Sequence, residues 1–299
     1  MEKNNRLSAQ IKLLLAILLW GGSFIATKIA VAEVSPVTVV WIRFLIGIII
    51  LGIFAWQRGQ LNIPSWRDGL ELIGLGFLGI TLHQWLQSSG LVTSEAATTA
   101  WIVSTTPVFM AFFGWLFLKE KLSIPIMGGI LLATLGVLFV VSKGDFDSLM
   151  AGGFGSPGDI LILISAPNWA IYSVLSQPIL KRLSVLTVTL YVLFFGWLLT
   201  SVQFLLGNHW REFAALSTDG WLSIAFLGIF CSAIAYIFYN DGMQALPAAE
   251  VGAFLYIEPL SATLIAALVL GEKFNWATAV GGALILFGVW LVNRFESAS

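Results

Sequence analysis

Phe77-Leu78-Gly79-Ile80 returns as Phe226-Leu227-Gly228-Ile229, 149 positions later. Trp20 returns as Trp169 at the same offset. Further along, the offset becomes 152 and holds: Pro107 with Pro259, Glu120-Lys121 with Glu272-Lys273, Gly129 with Gly281, Gly136-Val137 with Gly288-Val289. Residues of unlike chemistry recurring in order at a fixed offset are the mark of an internal repeat. The step in offset puts three extra residues in the second copy, between its third and fourth helices. Between the copies runs the stretch from Lys143 to Asp159, rich in Gly, Ser and Asp, and it reads as a linker.

The material of each copy is apolar. The chain is 58% hydrophobic and 10% charged, where a soluble domain carries about 25% charge. A soluble chain of this composition could not cover its surface with polar groups. A crossing helix needs about 20 mostly apolar residues, and the chain divides into ten such runs: 12–31, 36–56, 70–89, 96–118, 123–142, 159–180, 185–206, 219–243, 247–270 and 274–293. Each copy therefore holds five. Five is odd, so the second copy enters the membrane from the opposite side, as in the inverted repeats of secondary transporters. The expected fold is an all-α integral membrane protein of ten transmembrane helices in two inverted five-helix repeats, 1–146 and 159–299, joined by 147–158.

Loop charge sets the expected orientation. With the N terminus in the cytoplasm, the inside segments hold ten basic residues and the outside segments four. Both termini are expected in the cytoplasm, with the protein multi-pass in the inner (plasma) membrane. No small-residue cleavage site follows the run at 12–31, which reads as a retained helix rather than a signal peptide.

Composition also excludes functions. A net charge of −1 leaves no footprint for nucleic acid. Cys231, alone, can form no intramolecular disulfide. His83 and His209, far apart and without cysteine partners, argue against a metal. No Gly-rich phosphate loop or nucleophile–base pair is present, so neither ATP drive nor an integral membrane enzyme is expected, and no cofactor.

Polar groups inside lipid are expensive and point to partners or a wet cavity. Arg43 lies about seven residues into the second run, ~10 Å deep, and Glu258 about twelve residues from the outer end of the ninth, ~18 Å deep. Opposite charges at comparable depth could pair, as a fixed structural link or as a substrate or proton site. Trp20 and Trp169, matched in the repeat, are candidates to face one another across a central cavity. Tyr172 and Gln177 share a helix face with Trp169. His83, Gln84, Gln87, Trp101 and Ser104 add polar and aromatic groups at helical spacing, either as cavity lining or as glue between helices. Tyr236 and Tyr239 are further candidates, and Glu250 a weaker one. Gly129, Gly136, Gly281 and Gly288 read as packing sites between the fifth and tenth helices. Glu120 and Glu272 read as solvated or capping charges.

The paired segments Pro107…Leu118-Lys119-Glu120 and Pro259…Leu270-Gly271-Glu272, each followed by a Gly-bearing helix, resemble the EamA family of the drug/metabolite transporter superfamily. Trp20-Gly21-Gly22-Ser23-Phe24, Arg43-Phe44 and Glu258-Pro259 agree with it. Leu118-Lys119-Glu120 departs from the usual Leu-Gly-Glu. The likeness covers roughly residues 10 to 294. It implies ten helices, cytoplasmic termini and export of amino acids or related metabolites, without naming one substrate. The expected function is a secondary-active transporter working by alternating access around a central cavity, with protons a candidate coupling ion and a monomer or weak dimer as its form. Export of amphiphilic drugs or other metabolites is the alternative, with an integral membrane enzyme behind it.

Overall fold

The computed structural model describes residues 3–118, 124–145, 147, 155–246, 251, 254–273 and 275–296. The described residues form helices and no strands. In order they are α1 (Lys3–Val31), α2 (Pro36–Gln57), α3 (Trp66–Gly76), α4 (His83–Gly90), α5 (Ala96–Val103), α6 (Thr106–Leu118), α7 (Ile124–Ser142), α8 (Pro157–Leu180), α9 (Val185–Leu206), α10 (Thr218–Phe226), α11 (Ala235–Ala245), α12 (Ile257–Val269) and α13 (Trp276–Glu296). Among the described residues, five helical stretches are long and apolar enough to cross a membrane: Arg6–Val31, Pro36–Gln57, Pro157–Leu180, Val185–Leu206 and Thr218–Ala245. Met127–Ser142, Ile257–Val269 and Trp276–Gly288 are shorter apolar helices. Lys119, Glu120, Lys121 and Glu250 lie outside the described residues.

Helix starts are written locally. Ser35, Ser156, Ser184 and Ser217 each accept a hydrogen bond from the backbone N–H three residues on, and Pro36 and Pro157 follow two of them. These are the Ncap and first-turn residues that satisfy otherwise orphaned donors. The run expected at 96–118 is not one helix. It breaks at Ser104-Thr105, because Pro107 cannot donate to the carbonyl at 103 and the side-chain hydroxyls of Ser104, Thr105 and Thr106 bond back to the carbonyls of Trp101, Ile102 and Val103. In the second half, α12 starts only at Ile257, just ahead of the matched Pro259.

The motif Phe77-Leu78-Gly79-Ile80 opens a π-helix over Phe77–Leu82, and its copy does so from its second residue, over Leu227–Ile234. Each π segment joins two α-helical pieces into one column, α3 to α4 and α10 to α11. The glycines inside them admit neighbours closely. A Cβ on Gly79 would lie 2.7 Å from the Tyr172 ring, and one on Gly228 2.7 Å from Ile46.

The two halves interlock. α2 packs on α9, α1 on α11 and α12, α4 on α8, and α7 on α13. The last pair meets at the matched glycines: a Cβ on Gly136 would lie 2.6 Å from the Gly281 carbonyl, and one on Gly288 2.5 Å from that of Gly129.

Polar contacts at the helix ends define two faces. On the far face, Glu33 accepts from Ser217 N (2.8 Å) and Oγ (2.6 Å), tying the end of α1 to the start of α10. Glu212 accepts from Ser35 N (2.8 Å) and Thr38 Oγ1 (2.6 Å), tying the connector after α9 to the start of α2. Ser94 donates to Asp159 (2.5 Å), and Glu272 accepts from Ala96 N (2.9 Å) and Ala97 N (3.0 Å), capping α5. On the opposite face, Lys12 pairs with Asp241 (2.6 Å), and Arg182 with Glu71 (2.6 Å) and Asp68 (3.2 Å). The N-terminal part of α1 belongs to this second face, since Lys12 lies here and the other end of α1 lies at the far face. Partial burial alone would raise the Glu212 carboxyl, but hydrogen bonds from Thr38, His209 and Ser35 outweigh it and hold the group at about 2. Hydrogen bonds from Ser217 likewise hold Glu33 below the ordinary glutamate value.

Candidate functional site

A small cavity of about 30 Å³ opens at the middle of the bundle. Trp20, Ser23 and Phe24 reach it from α1, Arg43 from α2, His83, Gln84 and Gln87 from α4, and Trp169 from α8. Val103, Thr106, Tyr236, Leu255 and Glu258 complete the wall. The matched positions of the repeat meet here: Trp20 with Trp169, Gln87 with Tyr236, Val103 with Leu255, and Thr106 with Glu258. Thr106 and Glu258 each precede a matched proline, so both line the cavity where a helix has just been interrupted. Both π segments border the site, because His83 follows the first directly and Tyr236 lies two residues past the end of the second. π-bulges of this kind concentrate at functional positions.

Arg43 is 3% exposed. Its Nε donates to Ser232 Oγ (3.0 Å) and its Nη1 to Gln84 Oε1 (3.0 Å), and its guanidinium lies 5.0 Å from the Phe44 ring centre. Gln84 passes the chain on, donating from Nε2 to Tyr236 Oη (3.1 Å). Neither partner of Arg43 is charged. Glu258, 5% exposed, faces the same cavity, and its carboxylate takes part in no hydrogen bond or ion pair with the described residues. The expected Arg43–Glu258 pair is therefore not formed. The two charges share one cavity, and Arg43 is held by neutral amide and hydroxyl groups. Depth alone cannot decide such a pairing, because rotation about each helix axis aims the side chain.

Trp20 and Trp169 meet edge to face with ring centres 5.5 Å apart. The Trp20 Nε1–H donates to the Cys231 carbonyl (3.1 Å), the partner an indole inside lipid needs. His83 lies 4.6 Å from the Trp169 ring and places Nδ1 3.2 Å from the Ser165 carbonyl. Tyr172 and Tyr239 do not reach the cavity. They pack behind its wall, 4.7 Å from Trp169 and 4.9 Å from Trp20 respectively.

Other candidates lie elsewhere. Trp101 turns to α12 and α13, donating to Thr263 Oγ1 (3.1 Å) and filling the space that Gly282 leaves, where a Cβ would come within 2.6 Å of the ring. Ser104 spends its hydroxyl on the Trp101 carbonyl (2.7 Å). Gln177 is half-buried near the end of α8, eight residues past Trp169. That is about 12 Å along the axis, so a shared stripe does not bring it to the cavity. The sequence reading missed Ser23, Phe24, Val103, Thr106 and Leu255. Ser23 and Phe24 were recoverable, being one turn beyond Trp20 on its face. Thr106 follows from Glu258 through the repeat.

A family model described as the EamA-like transporter family matches residues 7–142 and 156–294. The chain belongs to the EamA-like transporter family. Its two matched segments correspond to the two halves that interlock around the cavity. An uncharacterized transporter of Archaeoglobus fulgidus is 29% identical over 283 residues, covering 94% of this chain and 96% of that protein. The uncharacterized transporter YyaM of Bacillus subtilis is 26% identical, covering 90% of this chain and 88% of its own length. A solved crystal structure with 24% identity superimposes with a TM-score of 0.71 over 97% of each chain, a likeness of fold. With its long apolar helices, this EamA-like chain is a multi-pass membrane protein.

Proposed function

We propose that the protein is a secondary-active transporter that exports amino acids or similar small metabolites by alternating access around the central cavity. The observation that carries this reading is the cavity itself: matched positions of two halves converge on it, and it holds one cation and one carboxylate that do not neutralise each other. In a transporter with internal repeats, the substrate sits where the repeats meet. Arg43, with two of its nitrogens already braced by Ser232 and Gln84, offers a carboxylate a preorganised charged donor. Glu258 complements an ammonium group or a coupling proton, and the rings of Trp20, Trp169 and Tyr236 take apolar surface. An amino-acid zwitterion carries both charges on a small body and matches this arrangement.

The reading extends to the membrane. Ten crossings in two inverted five-helix repeats, 1–146 and 159–299 around the linker 147–158, put both termini on one side. The basic-residue count makes that side the cytoplasm, in a monomer or weak dimer of the inner (plasma) membrane. No enzymatic step is needed. The test is flux in liposomes with labelled amino acids, against amphiphilic cations as the competing substrate class. Saturable uptake with counterflow, driven by a pH gradient, supports the reading. Flux of cations alone, or none that saturates, defeats it.

A further inference from the structure

Below the cavity lies a cluster of buried rings. Trp20, Trp169, Tyr172, Tyr236 and Tyr239 form one continuous aromatic cluster, with centre-to-centre distances from 4.7 Å for Trp169–Tyr172 to 6.0 Å for Trp169–Tyr236. Their exposures run from 0% for Tyr172 and Tyr239 to 9% for Trp20. The rings come from α1, α8 and α11, so both halves contribute. Polar bonds hold them in place: Tyr239 Oη lies 3.1 Å from Ser173 Oγ, and Tyr236 Oη accepts from Gln84.

The helix ends show which way the cavity lies from this cluster. Arg43 is seven residues from the far-face end of α2, Phe24 seven from that end of α1, and Gln87 three from that end of α4. At about 1.5 Å per residue the cavity wall begins ~5–10 Å below the far face. Trp169 is twelve residues from the far-face end of α8 and Tyr172 fifteen, ~18 and ~23 Å deep on the same rise. Gln87 is half-buried, while the rings beneath it are closed to solvent.

We propose that this five-ring cluster is the gate between the cavity and the face carrying the N terminus, and that the structure is in the state whose cavity communicates with the far face. Tyr172 and Tyr239, which touch the other rings and not the cavity, are then gating residues and not ligands. Passage toward the N-terminal face requires the one α1 ring, Trp20, to part from those of α8 and α11. The proposal rests on the transporter reading, but its test does not need a substrate.

The test is sided chemical labelling in membrane vesicles of both orientations, with a tag at the N terminus fixing the side. In a Cys231→Ala background, which keeps the backbone carbonyl that Trp20 uses, Gln87→Cys is treated with a membrane-impermeant maleimide. Labelling from the far side at least tenfold faster than from the N-terminal side is expected. Adding Tyr172→Ala or Tyr239→Ala should raise labelling from the N-terminal side at least tenfold, and Tyr239→Phe, which keeps the ring, should not. Equal labelling of Gln87→Cys from both sides with all five rings intact overturns the proposal, and that arm needs no variant at the gate. So does sidedness unchanged in folded Tyr172→Ala and Tyr239→Ala protein. Absent flux with sided labelling intact would count against the transporter reading and leave the gate standing.

Discussion

The two halves present the same scaffold to the cavity and different charges. Trp20 faces Trp169, and Val103 and Leu255 are both aliphatic. The matched glycines of the π segments admit a neighbour in each half. At the ionisable positions the match fails: Arg43 corresponds to Val192, and Glu258 to Thr106. Symmetric shape with asymmetric charge has a physical sense. Exchange between two access states wants two equivalent packings of the walls, whereas holding one oriented solute wants a single cation and a single anion. Repeat equivalence therefore locates the walls, and departures from it locate the chemistry.

That contrast can be broken most severely at Arg43. Arg43→Ala is expected to lower flux per folded molecule at least tenfold, while Val192→Ala, at the equivalent place, leaves it within about twofold. Removing one of two buried charges strands the other, at a cost of about 3–5 kcal/mol where they interact. Arg43→Ala and Glu258→Gln should thus combine non-additively in liposome flux, although no direct ion pair joins them. Simple addition of the two effects would mean that they act independently. Glu258→Gln alone should fold and lose the dependence of flux on pH, whereas Thr106→Val should keep it.

A smaller effect sharpens the comparison of packing. Gly136→Val forces atoms into the backbone of α13, where a Cβ already lies 2.6 Å from Gly281 O. A loss of about 1–3 kcal/mol is expected from overpacking, read as a lower Tm in detergent. Gly128→Ala, with nothing within 4 Å of its Cβ, should hold or raise Tm.

The smallest expected effect is at the far face. Glu212 is held at about 2 against an ordinary 4.5, so its bonds to α2 stabilise the fold above pH 4.5 and are lost as pH falls toward 2. Wild type should exceed Glu212→Gln by about 1 kcal/mol at pH 7, after allowance for solvent screening. The gap should close between pH 4.5 and 2. A gap independent of pH would show that the hydrogen bonds matter and the charge does not.

Much of the helix layout was legible. Val185–Leu206 falls where the apolar run was read, and α2 and α8 differ by one or two residues at an end. The break inside 96–118 was not read, although Ser104-Thr105-Thr106-Pro107 carries the hydroxyls and the proline that make it. At the cavity, Trp20, Trp169, Arg43, His83, Gln84, Gln87, Tyr236 and Glu258 are brought together. Trp101, Ser104 and Gln177 are not, because the first two face other neighbours and the third lies too far along its helix.

The sequence by itself determined where the helices run, that two copies of one pattern make the chain, and which ionisable groups would have to be sheltered from lipid. These follow from local chemistry: apolar run length, serine caps, prolines and ordered recurrence. Only the tertiary structure decided that Arg43 rests on Gln84 and Ser232, that Glu258 stands without a partner among the described residues, and that five rings cluster beside the cavity. Those outcomes depend on the rotation of each helix about its axis. That rotation is set by the summed packing of many neighbours, such as Gly136 against Gly281, and no single residue's chemistry encodes it.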